Sequence, residues 1–136
     1  MANYYESTRT NYFKVKDATA FQSFIQKFGG IDLVVQEKTG HYALLFDEDL
    51  SVPYFYYDEK ENKDVEIDFM QELSRHLCDD SIAVIVGAGA EKLRYVVGYA
   101  YAINSKGEQV EINLAHIYKL ARDKFGEKAE ITLAEC

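Results

Sequence analysis

The sequence has no tryptophan, one proline, two cysteines and no long apolar run. Because only Cys78 and Cys136 are present, a disulfide framework is not expected, which agrees with a reducing compartment. The longest uncharged apolar stretches, residues 82–90 and 95–103, are about half of the ~20 residues that a membrane-spanning helix needs. The N-terminus also lacks the basic and apolar regions of a signal peptide. We therefore expect a soluble, cytoplasmic protein.

Motifs that would indicate a cofactor are absent or incomplete. Gly87-Ala-Gly89 begins like a dinucleotide-binding loop, but its third glycine would fall at Lys92, and a strand rather than a helix follows. We expect a glycine-containing hairpin connection there instead. Asp47-Glu-Asp49 resembles the start of a calcium loop, yet Val52 stands where that loop needs glycine. The sequence thus predicts no bound cofactor and no calcium site.

Catalytic and metal-binding side chains are not assembled in any recognisable pattern. There is no Gly-x-Ser-x-Gly nucleophile elbow. His76 and Cys78 are two residues apart on a predicted helix, so their side chains point about 200° away from each other. We therefore predict structural or surface roles for the histidines, no metal site and no catalytic residue.

The most apolar part of the chain, residues 81–114, predicts the centre of the fold. Residues 82–86 form a continuous aliphatic run, typical of a strand that is covered on both faces. Residues 93–103 alternate bulky and small side chains, as a strand does. A turn at 104–107 leads to a strand at 109–113, whose Val110 and Ile112 should point inward. These patterns predict a three-stranded antiparallel meander.

The first half of the chain predicts a β-α-β-β order. A strand is expected at residues 11–16, with Phe13 and Val15 facing inward. A helix follows at 18–28, capped by Asp17 and carrying an apolar stripe with the i, i+3, i+4, i+7 spacing. Glycines at 29 and 30 stop this helix, and strands at 31–37 and 42–46 form a hairpin.

The second half adds two helices to the meander. Asp68 is expected to cap one helix, and Asn113 another that ends at Gly126, with an apolar inner face from Leu114 to Phe125. A further edge strand is predicted at 129–134. The whole predicts one α+β domain over residues 1–136, with three helices on a mainly antiparallel sheet. A ferredoxin-like β-α-β-β-α-β core would carry an added hairpin and helix.

Negative charge is concentrated in one segment. The chain has 15 basic and 23 acidic residues, which gives a net charge of −8. Residues 47–72 hold ten carboxylates and two lysines, again a net of −8, whereas the remainder holds 13 acids and 13 bases. This distribution predicts one acidic face, which repels nucleic acid and attracts a basic partner.

The predicted partner-binding residues lie on a protruding hairpin of this acidic segment. Exposed aromatics that stack on bases normally accompany lysine and arginine, whereas the tyrosines here accompany carboxylates. We therefore expect the basic surface of a nucleic-acid-binding protein as partner, and no direct nucleic acid or membrane binding. The predicted contact residues are Asp47, Glu48, Asp49, Tyr54, Tyr56, Tyr57, Asp58, Glu59, Glu61, Asp64 and Glu66.

Two stretches resemble a group of bacterial proteins. Residues 1–16, MANYYESTRTNYFKVK, and residues 91–100, EKLRYVVGYA, are similar to uncharacterised small acidic proteins carried by phages, plasmids and integrative elements. The resemblance implies the cytoplasm of a bacterial host and, more loosely, an inhibitor of the anti-CRISPR or anti-restriction type. It implies no catalytic residues.

Three functional hypotheses follow. The first is a non-enzymatic inhibitor that docks its acidic face on a basic site. Ten carboxylates match about 17 Å of duplex, or roughly five base pairs, and a homodimer would double that length. The second is a structural or dimerisation module whose acids only confer solubility. The third is a small enzyme that uses Arg9, Arg94 and a nearby carboxylate or histidine.

Overall fold

Local sequence signals determine where the first two helices begin. In the computed structural model, which describes residues 4–47, 52–91 and 95–134, α1 spans Ala18–Gln26 and α2 spans Phe69–His76. The Asp17 carboxylate accepts a hydrogen bond from the third residue of α1 at 3.1 Å, and the Asp68 carboxylate does the same for α2 at 3.3 Å. Both predicted N-caps are therefore confirmed.

Most strands of the described residues belong to one antiparallel sheet. They are β1 (Tyr4–Thr10), β2 (Ile31–Val35), β3 (Tyr42–Phe46), β6 (Ile82–Glu91), β7 (Tyr95–Asn104) and β8 (Gln109–Asn113). β4 (Phe55–Asp58) and β5 (Lys63–Glu66) form a separate hairpin, and α3 spans His116–Phe125. The sheet order is β2-β3-β1-β6-β7-β8. The fold is α+β, as predicted.

Four of these strands have the arrangement of a ferredoxin-like core. β3 lies between β1 and β2, the two strands that α1 connects, and β6 pairs with the other side of β1. This order, β6-β1-β3-β2, is that of a split β-α-β unit. The hairpin β4-β5 is inserted before α2, and β7, β8 and α3 extend the core at its β6 edge.

The core lies between one face of the sheet and helices α1 and α2. Aromatic rings from both helices fill its centre: Phe24 stacks on Phe69 with centroids 5.5 Å apart, and Phe28 meets Phe69 edge-on at 5.3 Å. Such pairs contribute about 0.5–1.5 kcal/mol each beyond their burial. Ile85 of β6 and Ile103 of β7 close the core from the sheet side.

The first strand is displaced from its predicted position. β1 ends at Thr10, and in residues 11–16 only isolated bridges form, from Phe13 to Tyr42 and from Val15 to Leu77. Phe13 is buried, as predicted, but it enters the core from a connecting segment rather than a strand. The alternating pattern correctly identified the buried side chain, whereas strand pairing is decided by the neighbouring backbone.

The meander is less covered than predicted: β6 has fully buried residues on one face only, and all five residues of β8 are exposed. Along β6, Ala83 and Ile85 are buried while Ile82 and Val86 are exposed. Val110 and Ile112 of β8, predicted to point inward, are 71% and 65% exposed. An apolar alternation predicts which side chains share a face, but not whether a second layer covers that face.

Helix α3 packs differently from its prediction. It begins at His116 after Ala115, and no side chain caps it, so the predicted cap Asn113 is wrong. None of its residues is buried, and Phe125 is 75% exposed. The predicted edge strand at 129–134 is also wrong, because those residues adopt no strand. Instead, the Ala134 N–H donates a hydrogen bond to the Tyr118 hydroxyl at 2.7 Å.

Candidate protein-binding surface

The acidic hairpin predicted from sequence is formed by β4 and β5. Phe55 pairs with Glu66 and Tyr57 with Asp64, so these four side chains share one face of the two-stranded ribbon. Tyr56 pairs with Val65 on the opposite face. The ribbon therefore has an inner and an outer side, which carry different residues.

Tyr56 attaches the inner side of the hairpin to the body of the protein. Its ring lies edge-on to Phe28 with centroids 5.9 Å apart, and the Lys27 ammonium lies 5.1 Å from its centroid. Burial and the cation–π contact make Tyr56 an anchor for the hairpin. Sequence reasoning placed all three tyrosines in the partner interface, but this ring is directed at the protein's own core.

The outer side presents aromatic rings next to carboxylates. Tyr57 is 51% exposed, and Tyr54, which precedes β4, is 72% exposed and packs on Phe55 at 4.9 Å. Asp64 and Glu66 alternate along β5, so their carboxylates are about 6.6 Å apart along the strand. A guanidinium group can stack on such rings while it donates hydrogen bonds to the carboxylates.

The turn between the strands is held by its own acid. The Asp58 carboxylate accepts hydrogen bonds from the backbone N–H groups of Lys60 at 2.9 Å and Glu61 at 3.3 Å. Asn62 adopts a left-handed conformation with φ of 54°, and its side chain accepts a hydrogen bond from the Tyr57 hydroxyl. Asp58 thus shapes the loop that presents the other acids.

Only part of the hairpin's charge is neutralised. Glu61 forms an exposed ion pair with Lys63 at 3.0 Å. Within the described residues, Glu59, Asp64 and Glu66 take part in no ion pair. These three carboxylates are the ones available to an external cation.

The remaining predicted contact residues lie near the same end of the molecule or outside the described ranges. The backbone N–H of Asp47 donates a hydrogen bond to the Gly30 carbonyl at 2.8 Å. Gly30 is two residues from Phe28, against which the hairpin is anchored. Glu48 and Asp49 lie outside the described residues. Arg94 does as well, so the enzyme hypothesis, which uses Arg9 and Arg94, stays a hypothesis.

A second polar cluster was not predicted. The hydroxyl of Tyr99 on β7 donates a hydrogen bond to the Glu6 carboxylate, and Thr8 lies 3.1 Å from both groups. Burial, reinforced by Glu6, raises the pKa of Tyr99 to about 12. Its hydroxyl therefore remains a neutral hydrogen-bond donor at physiological pH and cannot act as a base.

This cluster explains Gly87. Both Gly87 and Gly89 lie inside β6 rather than in the hairpin connection that we predicted. Gly87 pairs directly with Tyr99, and a Cβ atom at Gly87 would lie 2.8 Å from Cε1 of that ring. The glycine thus makes room for the tyrosine. The signal in the sequence was the alternation of bulky and small residues in β7, but the pairing register is needed to interpret it.

Other classes of site find no support among the described residues. No group of three histidine, cysteine, aspartate or glutamate side chains could hold a metal ion within ranges 4–47, 52–91 and 95–134. In the same ranges, no helix is long and apolar enough to cross a membrane. Comparison with protein-family models, curated proteins and solved structures found no match. Nothing in these comparisons points to an enzymatic activity.

Proposed function

We propose that this protein is a non-enzymatic inhibitor that docks the outer side of the hairpin β4-β5 on a basic, nucleic-acid-binding site of another protein. The observation that carries the proposal is the pairing of exposed aromatic rings with carboxylates on one face of the hairpin. Carboxylates replace the phosphates that a basic site normally binds, and the rings add contact area.

The local structure of the hairpin supports a docking role. Its turn is shaped by Asp58 and its inner side is anchored through Tyr56, so the outer face is ordered before a partner arrives. An ordered surface loses less conformational entropy on binding than a flexible one. The three unpaired carboxylates at 59, 64 and 66 can therefore contribute to attraction at little ordering cost.

The type of target follows from the chemistry and from the resemblance described above. A surface that substitutes for phosphates competes with nucleic acid for its protein, which is how an inhibitor of a restriction or CRISPR system acts. In this proposal, the host's nucleic-acid-targeting defence is the target, and the hairpin covers a site of a few base pairs.

The test uses affinity capture from a bacterial lysate at low and high ionic strength, followed by affinity measurement with the captured protein. The test variant carries Glu59→Gln, Asp64→Asn and Glu66→Gln, which keep Asp58 and the Glu61 ion pair intact. Exposed charge pairs contribute about 0.2–1 kcal/mol each, so we expect affinity to fall about 3- to 100-fold and its salt dependence to decrease.

A matched control removes the same charge elsewhere, through Asp80→Asn, Glu127→Gln and Glu130→Gln. These exposed residues lie outside the hairpin, so the control should bind like the wild type. If both variants lost affinity equally, the net charge of the protein, and not the position of the carboxylates on the hairpin, would explain the effect. Unchanged affinity of the hairpin variant, or a captured protein that duplex DNA does not displace, would contradict the proposal.

A further inference from the structure

In the part of the chain that the structure describes, no second layer covers one face of the β6-β7-β8 region of the sheet. Helices α1 and α2 pack on the side that contains Ala83, Ile85 and Ile103. The pairing register places the alternate residues on the other side, which we call the open face. Its residues are Ile82, Val84, Val86, Ala88, Ala90, Val96, Gly98, Ala100, Ala102, Asn104, Val110 and Ile112.

None of the open-face residues is ionisable, and many are alanine or glycine. The small residues lie mainly along β7, between the larger aliphatic side chains of β6 and β8. This arrangement forms a shallow apolar trough along the middle strand. Ridges of side chains from a helix fit such a surface.

Helix α3 carries a matching apolar stripe that its own chain leaves exposed. Ile117, Leu120 and Phe125 are each more than half exposed. Leu114, just before the helix, lies over the open face, because its side chain comes within 3.0 Å of the position that a Cβ atom at Gly98 would take. The stripe therefore starts at the open face and continues without a partner among the described residues.

The combined apolar area is similar to the apolar part of a stable dimer interface. Nine apolar side chains of the open face and the α3 segment are each more than half exposed: Ile82, Val86, Val96, Val110, Ile112, Leu114, Ile117, Leu120 and Phe125. From their transfer free energies and exposed fractions of 51–75%, they offer roughly 300–650 Å² of apolar area. A specific interface buries about 800 Å² per partner, of which about 65%, or roughly 500 Å², is apolar in homodimers.

Charge indicates which partner fits. Each chain has a net charge of −8, so two copies repel each other least where they meet through surfaces with few carboxylates. The open face has none, and the acidic hairpin is anchored on α1, on the opposite side of the sheet.

We propose that the open face and α3 form the interface with a second copy of this chain. The trough and the stripe occur on the same chain and are both unpartnered, so a two-fold axis lets each copy's α3 lie on the other copy's open face. The dimer presents its two acidic hairpins on its outer sides.

The test measures molar mass by sedimentation equilibrium over a dilution series. The wild type should give twice the chain mass of 15.6 kDa. Ile112→Lys changes the trough and Ile117→Lys changes the stripe, and each should raise the dimer dissociation constant at least about a hundredfold, because two copies lose the contact. Val35→Lys is the matched control, since Val35 has similar exposure on the distant edge strand β2.

Folding of the variants is checked by circular dichroism. Because α3 contains no buried residue, Ile117→Lys leaves the core intact even if Ile112→Lys perturbs the sheet. A wild type that has the mass of one chain at the highest concentration would overturn the proposal. A dimer that persists in both lysine variants, or one that Val35→Lys dissociates equally, would overturn it as well. None of these outcomes depends on a partner for the acidic hairpin.

Discussion

The close approach of Gly87 to Tyr99 predicts a strong energetic coupling between the two positions. In Gly87→Ala, the new methyl group meets the ring, which either strains the strand or displaces the tyrosine from Glu6 and Thr8. Overpacking costs about 1–3 kcal/mol, and replacing glycine in a strand returns about 0.5–1 kcal/mol. We expect a net loss of about 1–2 kcal/mol in the free energy of unfolding.

In the Tyr99→Ala background the obstacle is gone, so Gly87→Ala should become neutral or stabilising by up to about 1 kcal/mol. The coupling energy is then about 1–3 kcal/mol. The wild type, the two single variants and the double variant form a double-mutant cycle. Urea denaturation at one fixed protein concentration measures the free energy of unfolding of all four proteins. For a domain of this size, each kcal/mol corresponds to about 3–5 °C in Tm.

Gly29→Ala is the control for this cycle, because nothing lies within 4 Å of its new Cβ atom. Its effect on stability should be small and the same with and without Tyr99. If Gly87→Ala is equally costly in both backgrounds, the ring is not the obstacle and our reading of the β6-β7 register is refuted.

Two further predictions concern pH. Burial and Glu6 raise the pKa of Tyr99 to about 12, so the unfolded state loses this proton at a lower pH than the folded state. The free energy of unfolding should therefore fall between pH 10 and 12. Urea titrations should show a steeper fall for the wild type than for Tyr99→Phe. Burial lowers the pKa of His76 below 6.5, although Glu72 and Asp17 oppose the shift, and the ring stacks on Phe24 at 4.9 Å. The unfolded state then protonates His76 more readily than the folded state, so the free energy of unfolding should fall as the pH drops below 6.5, and His76→Phe should lessen that loss. Identical acid profiles of the wild type and His76→Phe would contradict the role of His76.

Some features were predictable because their causes are local in the chain. The Asp17 and Asp68 caps need only a carboxylate next to helical backbone, and both form. The turn at 104–107 needs a residue that adopts a positive φ, and Gly107 has φ of 82°. The apolar stripe of α1 identified Phe21, Phe24 and Ile25, which are buried. In each case a few neighbouring residues contain the whole physical cause.

The candidate binding surface was only partly predictable. Charge counting located the acidic hairpin, since net charge is a property of composition. It could not separate Tyr56, which faces the core, from Tyr57, which faces solvent, although the two are adjacent. That difference depends on which side of the ribbon meets Phe28. The Tyr99 cluster was missed because Glu6 and Tyr99 are 93 positions apart.

By itself, the sequence determined the α+β class, the two capped helices, the order of the core elements and the location of the negative charge. Each follows from short-range periodicity, capping or composition. Only the tertiary structure decided that the apolar residues of β8 and α3 are exposed and that Gly87 accommodates Tyr99. The physical reason is that side-chain pattern defines a face, whereas burial depends on a second layer, which strands and helices distant in the chain must supply.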